Sequence, residues 1–136
     1  MNAGRLEPVA YAALRIVSGF AFALHGVQKV FGVLVKPEYV QPALLSQKGV
    51  GGVIELVCGA LIMLGLFTRP AAFLASGTMA VAYIQFHWKG ALDERFFPIS
   101  APGNGGELSL IYCFLFLLLF AKGAGALSLD RTLRRG

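Results

Sequence analysis

The chain has 136 residues, of which 57% are hydrophobic and only 14% are charged. Soluble globular domains usually carry about 25% charged residues, so this composition argues against a soluble protein. The length suits a single domain over residues 1–136. The net charge of +5 reflects a basic C-terminal tail and does not indicate a nucleic-acid partner.

Hydrophobic residues are gathered into four long stretches. A helix that crosses the hydrocarbon core of a bilayer needs about 20 apolar residues, with a range of about 17–25. The stretches lack the alternation that is typical of barrel strands. We therefore predict an all-α membrane protein, a four-transmembrane-helix bundle. In chain order, the predicted spans are residues 9–32, 50–67, 71–88 and 107–121.

Prolines and glycines set the predicted ends of these helices. Pro8 is expected in the first turn of the first helix, a position that proline favours. Pro70 is expected to end the second helix, because the residue before a proline disfavours the helical conformation. The connections 33–49 and 89–106 contain further prolines and glycines, which predict loops.

The distribution of lysine and arginine predicts the orientation. With four spans, both termini and the turn at 68–70 share one side of the membrane, which holds six basic residues against four on the two long loops. Cytoplasmic segments carry the excess of Lys and Arg. We therefore predict cytoplasmic termini in a multi-pass protein of the cell inner (plasma) membrane. The basic tail, "RTLRRG", indicates no more than contact with anionic lipid or a protein partner.

Several polar residues of the spans are expected to meet at one depth, in the outer leaflet. His25 and Lys29 are four residues apart and share one face of the first helix. A lysine or carboxylate at the bilayer centre costs about 2.5–3.5 kcal/mol on insertion scales, so we expect Lys29 and Glu55 to pair inside the bundle. The predicted ligand-binding pocket comprises His25, Gln28, Lys29, Glu55, Gln85, Asn104 and Glu107.

Other residues of the spans bear on how the helices pack. Arg15 lies toward the cytoplasmic end of the first helix, where it is expected to snorkel to the headgroups or to pair with an inward-facing acceptor. Small residues allow helices to approach closely in membranes. The glycines expected to do so are Gly19, Gly26, Gly59 and Gly65.

The predicted pocket suits a small ligand with a polar head. Quinone ring carbonyls accept hydrogen bonds from His, Gln or Lys, and His25 or Glu55 is suited to exchange the proton that reduction requires. We predict no intrinsic cofactor and no metal site, since zinc and di-iron sites need a richer ligand set. Haem bound through His25 and His87 is disfavoured, because two histidines on different helices occur easily by chance. A structural network of hydrogen bonds is the alternative interpretation.

Three segments carry a distinctive set of motifs. The first helix contains "LRIVSGFAFALHGVQKVFG", with an arginine, a glycine and a His-Gly-x-x-Lys-x-Phe-Gly pattern. The second contains "GGVIELVCGALIMLGLFTRPAA", and the fourth lies within "NGGELSLIYCFLFLLLFAKGAGALSLD". In order and spacing, over nearly the whole chain, these segments resemble the DoxX family of small four-helix membrane proteins. The matching motif positions are Arg15, Gly19, His25, Gly26, Lys29, Glu55, Arg69, Asn104, Glu107 and Asp130.

The resemblance implies a role in membrane redox chemistry. Members of this family include a subunit of a thiosulfate:quinone oxidoreductase, in which such a chain works with a second subunit. The leading hypothesis is that the chain is an integral membrane subunit of a quinone-linked oxidoreductase complex. Its expected partners are the lipid bilayer and either other proteins of that complex or further copies of itself. The alternative is a non-catalytic accessory subunit of a larger membrane complex, so enzymatic activity stays open. Structural or partner-binding roles are expected for Arg15, Arg69 and Asp130.

Overall fold

The computed structural model describes residues 3–88 and 105–134. Within these ranges the protein consists of helices and contains no strands, which confirms the all-α prediction. The connection 89–104, including Asn104 of the predicted pocket, lies outside the described residues. The elements are α1 (Ala3–Phe31), α2 (Gln47–Leu64), α3 (Thr68–Ala82), a π-helical turn (Tyr83–His87), α4 (Glu107–Lys122) and α5 (Leu129–Leu133).

The four longer helices fall on the four predicted stretches. Among the described residues, two segments are long and apolar enough to cross a membrane, Leu6–Phe31 in α1 and Gln47–Leu64, which is α2. Helix α3 has 15 residues and continues directly into the five-residue π-helical turn, and α4 has 16 residues. The helical nature of all four stretches is therefore confirmed, while a fourfold crossing of the bilayer stays a prediction.

The helix ends predicted from Pro8 and Pro70 are wrong. Helix α1 begins at Ala3, so Pro8 lies inside the helix, where it removes one backbone hydrogen bond near the N-terminus. Helix α2 ends at Leu64, because Gly65 adopts a left-handed conformation with φ 68° and closes the helix. Pro70 instead falls in the first turn of α3, where backbone amides have no partner within the helix.

Helices α1 and α2 pack with their backbones in direct contact. A Cβ atom added at Gly19 would lie 2.5 Å from the amide nitrogen of Met63, and one at Gly26 would overlap the backbone of Leu56. Gly59 makes the equivalent approach from the α2 side. The expected close packing is confirmed at these three glycines, since any side chain there would force the two helices apart.

An aromatic core joins α1 to α4. The ring of Phe22 is buried, with its centroid 4.7 Å from that of Phe116 and 5.4 Å from that of Tyr112. Ile62 and Leu119 are fully buried in the same core cluster. This core lies between the two ends of the bundle, which carry different polar groups.

Arg15 fastens one end of the bundle. Its side chain is fully buried, and Nη1 donates hydrogen bonds to the carbonyls of Ile62 and Met63 at 2.8 and 2.7 Å. Nη2 donates to the carbonyls of Ala126 and Leu127 at 3.3 and 2.6 Å. Carbonyls at the end of a helix have no partner within that helix, so the end of α2 is a suitable acceptor for a cation. Snorkelling to the headgroups is thus wrong for Arg15, and pairing with an inward acceptor is confirmed.

Asp130 caps the N-terminus of α3 from a distant part of the chain. Phe67, at the N-cap position, has φ 46° and an apolar side chain that cannot accept a hydrogen bond. The carboxylate of Asp130 instead accepts the amides of Phe67 and Thr68, at 2.9 and 3.0 Å. The amide of Asp130 donates to the carbonyl of Gly65 at 2.8 Å, which fixes α5 against the turn between α2 and α3.

This cap predicts a pH dependence of stability. Partial burial opposes ionisation of Asp130, but the Thr68 and Phe67 amides and the nearby charge of Arg134 outweigh it, so the pKa of Asp130 lies below its ordinary value. Because the pKa of Asp130 is lower in the folded state, the carboxylate of the unfolded chain takes up a proton first as the pH falls. The stabilisation is therefore complete above about pH 5 and is lost as the pH falls through the folded pKa.

We expect Asp130→Asn to lower the free energy of unfolding by about 0.5–2 kcal/mol at neutral pH, the usual cost of losing a cap. The difference from the wild type should shrink below pH ~4. Denaturant titrations of the purified proteins in micelles, followed by circular dichroism, measure this difference in the free energy of unfolding. The matched control is Glu38→Gln, on an exposed residue of the α1–α2 connection. A wild-type minus Asp130→Asn difference that stays constant down to strongly acid pH would contradict the assignment.

Candidate functional site

A partly buried ion pair links α1 to α2 at the end of the bundle opposite to Arg15. Nζ of Lys29 lies 2.6 Å from Oε1 of Glu55, and the carboxylate side chain is only 3% exposed. The predicted pairing of these two residues is confirmed. The stem of Lys29 packs on Gly52, where an added Cβ atom would lie 2.6 Å from the lysine Cβ. The glycine-rich first turns of α2 therefore make room for the lysine.

The carboxylate of Glu55 uses only one of its two oxygens. Oε1 accepts from Lys29, whereas Oε2 is buried and has no hydrogen-bond partner among the described residues. A buried acceptor without a partner costs about 1–3 kcal/mol, and more when it is charged. The pair thus retains capacity for one further hydrogen-bond donor.

The ion pair lies in the wall of a large cavity of about 1000 Å³, at the upper end of the range of small-molecule sites. Residues of α1, α2, α3, α4 and the connection between α1 and α2 line the cavity. Most lining residues are apolar, and several of them, such as Phe73 and Leu74, are exposed on the outer surface. The polar and ionisable lining residues include His25, Lys29, Gln47, Lys48, Glu55, Thr78, His87, Ser109 and Tyr112. The site is a mainly apolar cavity with a polar wall.

Two aromatic contacts position the histidines that line the cavity. The imidazole of His25 lies edge-on to the ring of Tyr112, with centroids 6.4 Å apart. His87 lies in the π-helical turn, with its ring 6.3 Å from that of Tyr83. Such turns are found frequently at functional sites, because they displace side chains from regular helical positions. The structure therefore brings both histidines to the cavity from different helices.

The structure places only some of the seven residues predicted for the pocket at the cavity. Of these, His25, Lys29 and Glu55 line the cavity. Gln28 instead donates from Nε2 to the carbonyl of Leu34 at 2.9 Å and so fixes the chain after α1. The exposed side chain of Gln85 accepts a hydrogen bond from Gln47 and does not line the cavity. Glu107 is exposed in the first turn of α4, and Asn104 lies outside the described residues.

Sequence reasoning missed several polar residues of the cavity wall, Tyr112 and Gln47 among them. Tyr112 is buried in the middle of α4, where a hydroxyl within a strongly apolar stretch was the available signal. Gln47 lies in the first turn of α2 and bonds to Gln85. Nothing in the spacing of Gln47 distinguishes it from the loop residues before it.

The folded chain is thus a helical protein with an amphiphilic cavity and extensive exposed apolar surface, the features of an integral membrane protein. Residues 10–88 match the DoxX family model. Together with the relatives below, this shows that the chain belongs to the DoxX family of membrane proteins.

Two relatives are similar over most of the chain. An uncharacterized protein of Haemophilus influenzae is 43% identical, over 95% of this chain and 94% of its own length. An uncharacterized membrane protein of Mycobacterium tuberculosis is 28% identical, over 94% of this chain and 83% of its own length. No solved structure matches the chain.

Proposed function

We propose that this chain is a four-span membrane subunit of a quinone-linked oxidoreductase complex and that its large cavity holds the quinone head group. One observation carries the proposal: the ion pair of Lys29 with buried Glu55 shares the wall of a mainly apolar cavity with His25. Intramembrane ionisable residues are costly and usually mark a functional site. A ligand with polar oxygens and an apolar tail matches both parts of the cavity.

The cavity wall offers the groups that a quinone needs. The ammonium of Lys29 and the imidazole of His25 are donors for the ring carbonyls, and the exposed apolar residues at the rim, including Phe73 and Leu74, suit a tail that continues into lipid. Reduction of a quinone to its hydroquinone takes up two electrons and two protons. In this proposal a partner subunit supplies the two electrons, and His25 and Glu55 relay the two protons from water to the ring oxygens.

The proposed topology follows the four longer helices. Helices α1 and α2 are each long enough to cross the bilayer, and α3 with its π-helical turn and α4 would complete the bundle. The excess of basic residues at the termini favours a cytoplasmic location for both ends, in the inner membrane of the cell. In that orientation the Lys29–Glu55 pair lies toward the outer leaflet.

The test is direct binding of a fluorescent quinone analogue to the full chain purified in mild detergent. We expect His25→Ala to weaken binding by roughly tenfold, because it removes a hydrogen bond to a polar head in an apolar site, worth about 1–1.5 kcal/mol. Glu55→Gln should weaken binding as well, because it removes the charged partner that holds the Lys29 ammonium in the cavity wall. Glu107→Gln is the matched control, since this exposed carboxylate of α4 does not line the cavity. It should bind as the wild type does.

The alternative, a non-catalytic accessory subunit, makes the opposite prediction. In that case the ion pair only fastens α1 to α2, and neutralising it changes stability without changing affinity for quinone. Equal affinities for wild type, His25→Ala and Glu55→Gln, measured on folded protein, would count against quinone binding and favour the accessory role.

A further inference from the structure

A second cavity, of about 360 Å³, lies near the Arg15 end of the bundle, away from the quinone cavity. It is formed by the start of α3, the end of α4, the following loop and α5. Its charged lining residues are Arg69, Lys122, Arg131, Arg134 and Asp130. Four basic side chains thus meet a single carboxylate, and we propose that this cavity binds the phosphate of an anionic phospholipid headgroup.

The one carboxylate of this cavity is already engaged. Both oxygens of Asp130 accept backbone amides, from Phe67 and Thr68. Lys122 lies 2.9 Å from Oε1 of Glu7, so its charge is partly neutralised. Arg69, Arg131 and Arg134 therefore provide most of the positive charge that an anion would meet. Planar guanidinium groups bind phosphate oxygens in a bidentate manner, which makes arginine well suited to this role.

The loop after α4 gives the cavity a fixed wall. Gly123 and Gly125 have φ values of 84° and 69°, in the left-handed region that favours glycine. The hydroxyl of Tyr11 donates to the carbonyl of Gly123 at 2.7 Å, which fastens the loop to α1. A Cβ atom added at Gly123 would lie 3.2 Å from Nε of Arg69, so the guanidinium of Arg69 lies directly against this loop. The cationic lining is thus held before any ligand arrives.

The surface next to the cavity indicates that the phosphate belongs to a lipid. Leu127 is 75% exposed, and Leu129 and Leu133, four residues apart on one face of α5, are exposed as well. These leucines would contact acyl chains, and a soluble phosphate would leave them without a partner. The volume lies within the range of about 300–1000 Å³ that is usual for small-molecule sites. Basic sites close to the cytoplasmic leaflet commonly recognise anionic headgroups, and the proposed orientation puts this cavity on that side.

Competition between lipids on the full chain tests this assignment. The protein is purified in mild detergent with equal amounts of phosphatidylglycerol and phosphatidylcholine, and native mass spectrometry counts the lipid that stays bound. We expect preferential retention of one phosphatidylglycerol. Arg131→Gln with Arg134→Gln replaces two exposed side chains without touching the buried core. This double variant should reduce the preference for phosphatidylglycerol roughly fivefold for each charge removed. The single variant Arg69→Gln, which removes one charge, should reduce it roughly fivefold.

Lys36→Gln is the matched control, because it removes the same charge from the connection at the other end of α1. It should keep the wild-type preference. Equal preference in the wild type, the control and the arginine variants would overturn the proposal. A further arm adds inorganic phosphate at constant ionic strength. If phosphate displaced phosphatidylglycerol, the site would be one for soluble anions and the lipid assignment would be wrong. Retention of phosphatidylglycerol would support the lipid assignment.

Discussion

Replacement of Arg15 by alanine is expected to lower the free energy of unfolding by at least ~3 kcal/mol, because buried acceptors without a partner cost about 1–3 kcal/mol each. The side chain is fully buried and serves four carbonyls, those of Ile62 and Met63 at the end of α2 and two in the segment after α4. A truncated side chain would also leave a cavity. Denaturation by SDS in micelles, followed by circular dichroism, measures the loss.

Arg15→Lys separates geometry from charge. Lysine keeps the charge but has one compact ammonium group, which cannot reach both pairs of carbonyls as the forked guanidinium does. We therefore expect Arg15→Lys to be clearly less stable than the wild type. Arg131→Gln, on an exposed arginine of α5, is the control and should leave the denaturation midpoint unchanged. If Arg15→Lys were as stable as the wild type, the carbonyl contacts would not be a major source of stability.

Gly26→Val should have a comparable effect, on the order of 3 kcal/mol, the upper part of the range for overpacked sites. A Cβ atom at Gly26 would overlap the backbone of Leu56, so α1 and α2 would have to separate. Lys29 lies one turn farther along α1, and separation would therefore also break its contact with Glu55. Stability is read from the SDS denaturation midpoint, and loss of the pocket from binding of the quinone analogue.

For the stability measurement, the control for this substitution is Gly51→Ala. This glycine lies on α2, and an added Cβ atom would meet nothing within 4 Å. Alanine favours the helix over glycine by up to about 1 kcal/mol, so Gly51→Ala should be neutral or slightly stabilising. A Gly26→Val protein with wild-type stability and wild-type affinity for the analogue would show that the two helices do not need this close approach.

The Lys29–Glu55 pair and the glycine contacts could be predicted because each follows from a strong local constraint. A lysine and a glutamate in apolar helices need partners. Because α1 and α2 are expected to run antiparallel, the C-terminal part of α1 lies beside the N-terminal half of α2, which contains Glu55. Glycines among large apolar residues indicate where two helices meet. The helices themselves follow from the lengths of the apolar stretches, which leave few alternatives in a membrane protein.

The membership of the pocket could not be predicted, because depth along a helix does not fix rotation about its axis. Gln28 precedes Lys29 by one residue and is therefore turned by about 100° away from it, toward the connection after α1. Its hydrogen bond to Leu34 follows from that rotation. Gln85, whose side chain is exposed, was likewise predicted to line the pocket only because of its depth along the helix.

At the other end of the bundle, the partners of Arg15 and Asp130 could not be predicted for a different reason. Arg15 and Asp130 bond to backbone carbonyls and amides rather than to side chains. Backbone groups are present at every position, so they leave no pattern in the sequence. The role of Gly65 as the residue that ends α2 could not be distinguished from a packing role, and Pro70, a few residues later, is the stronger helix-ending signal in the sequence.

Photo-crosslinking with a quinone that carries a diazirine near its ring tests the central claim most directly, because it reports where the head group lies. The full chain in native-like nanodiscs is irradiated, and the labelled peptides are sequenced by mass spectrometry. If the cavity holds the head group, we expect adducts on cavity-lining residues close to His25 and Glu55, which an excess of unlabelled quinone suppresses. Adducts spread over the outer surface of the helices, and insensitive to that competitor, would contradict it.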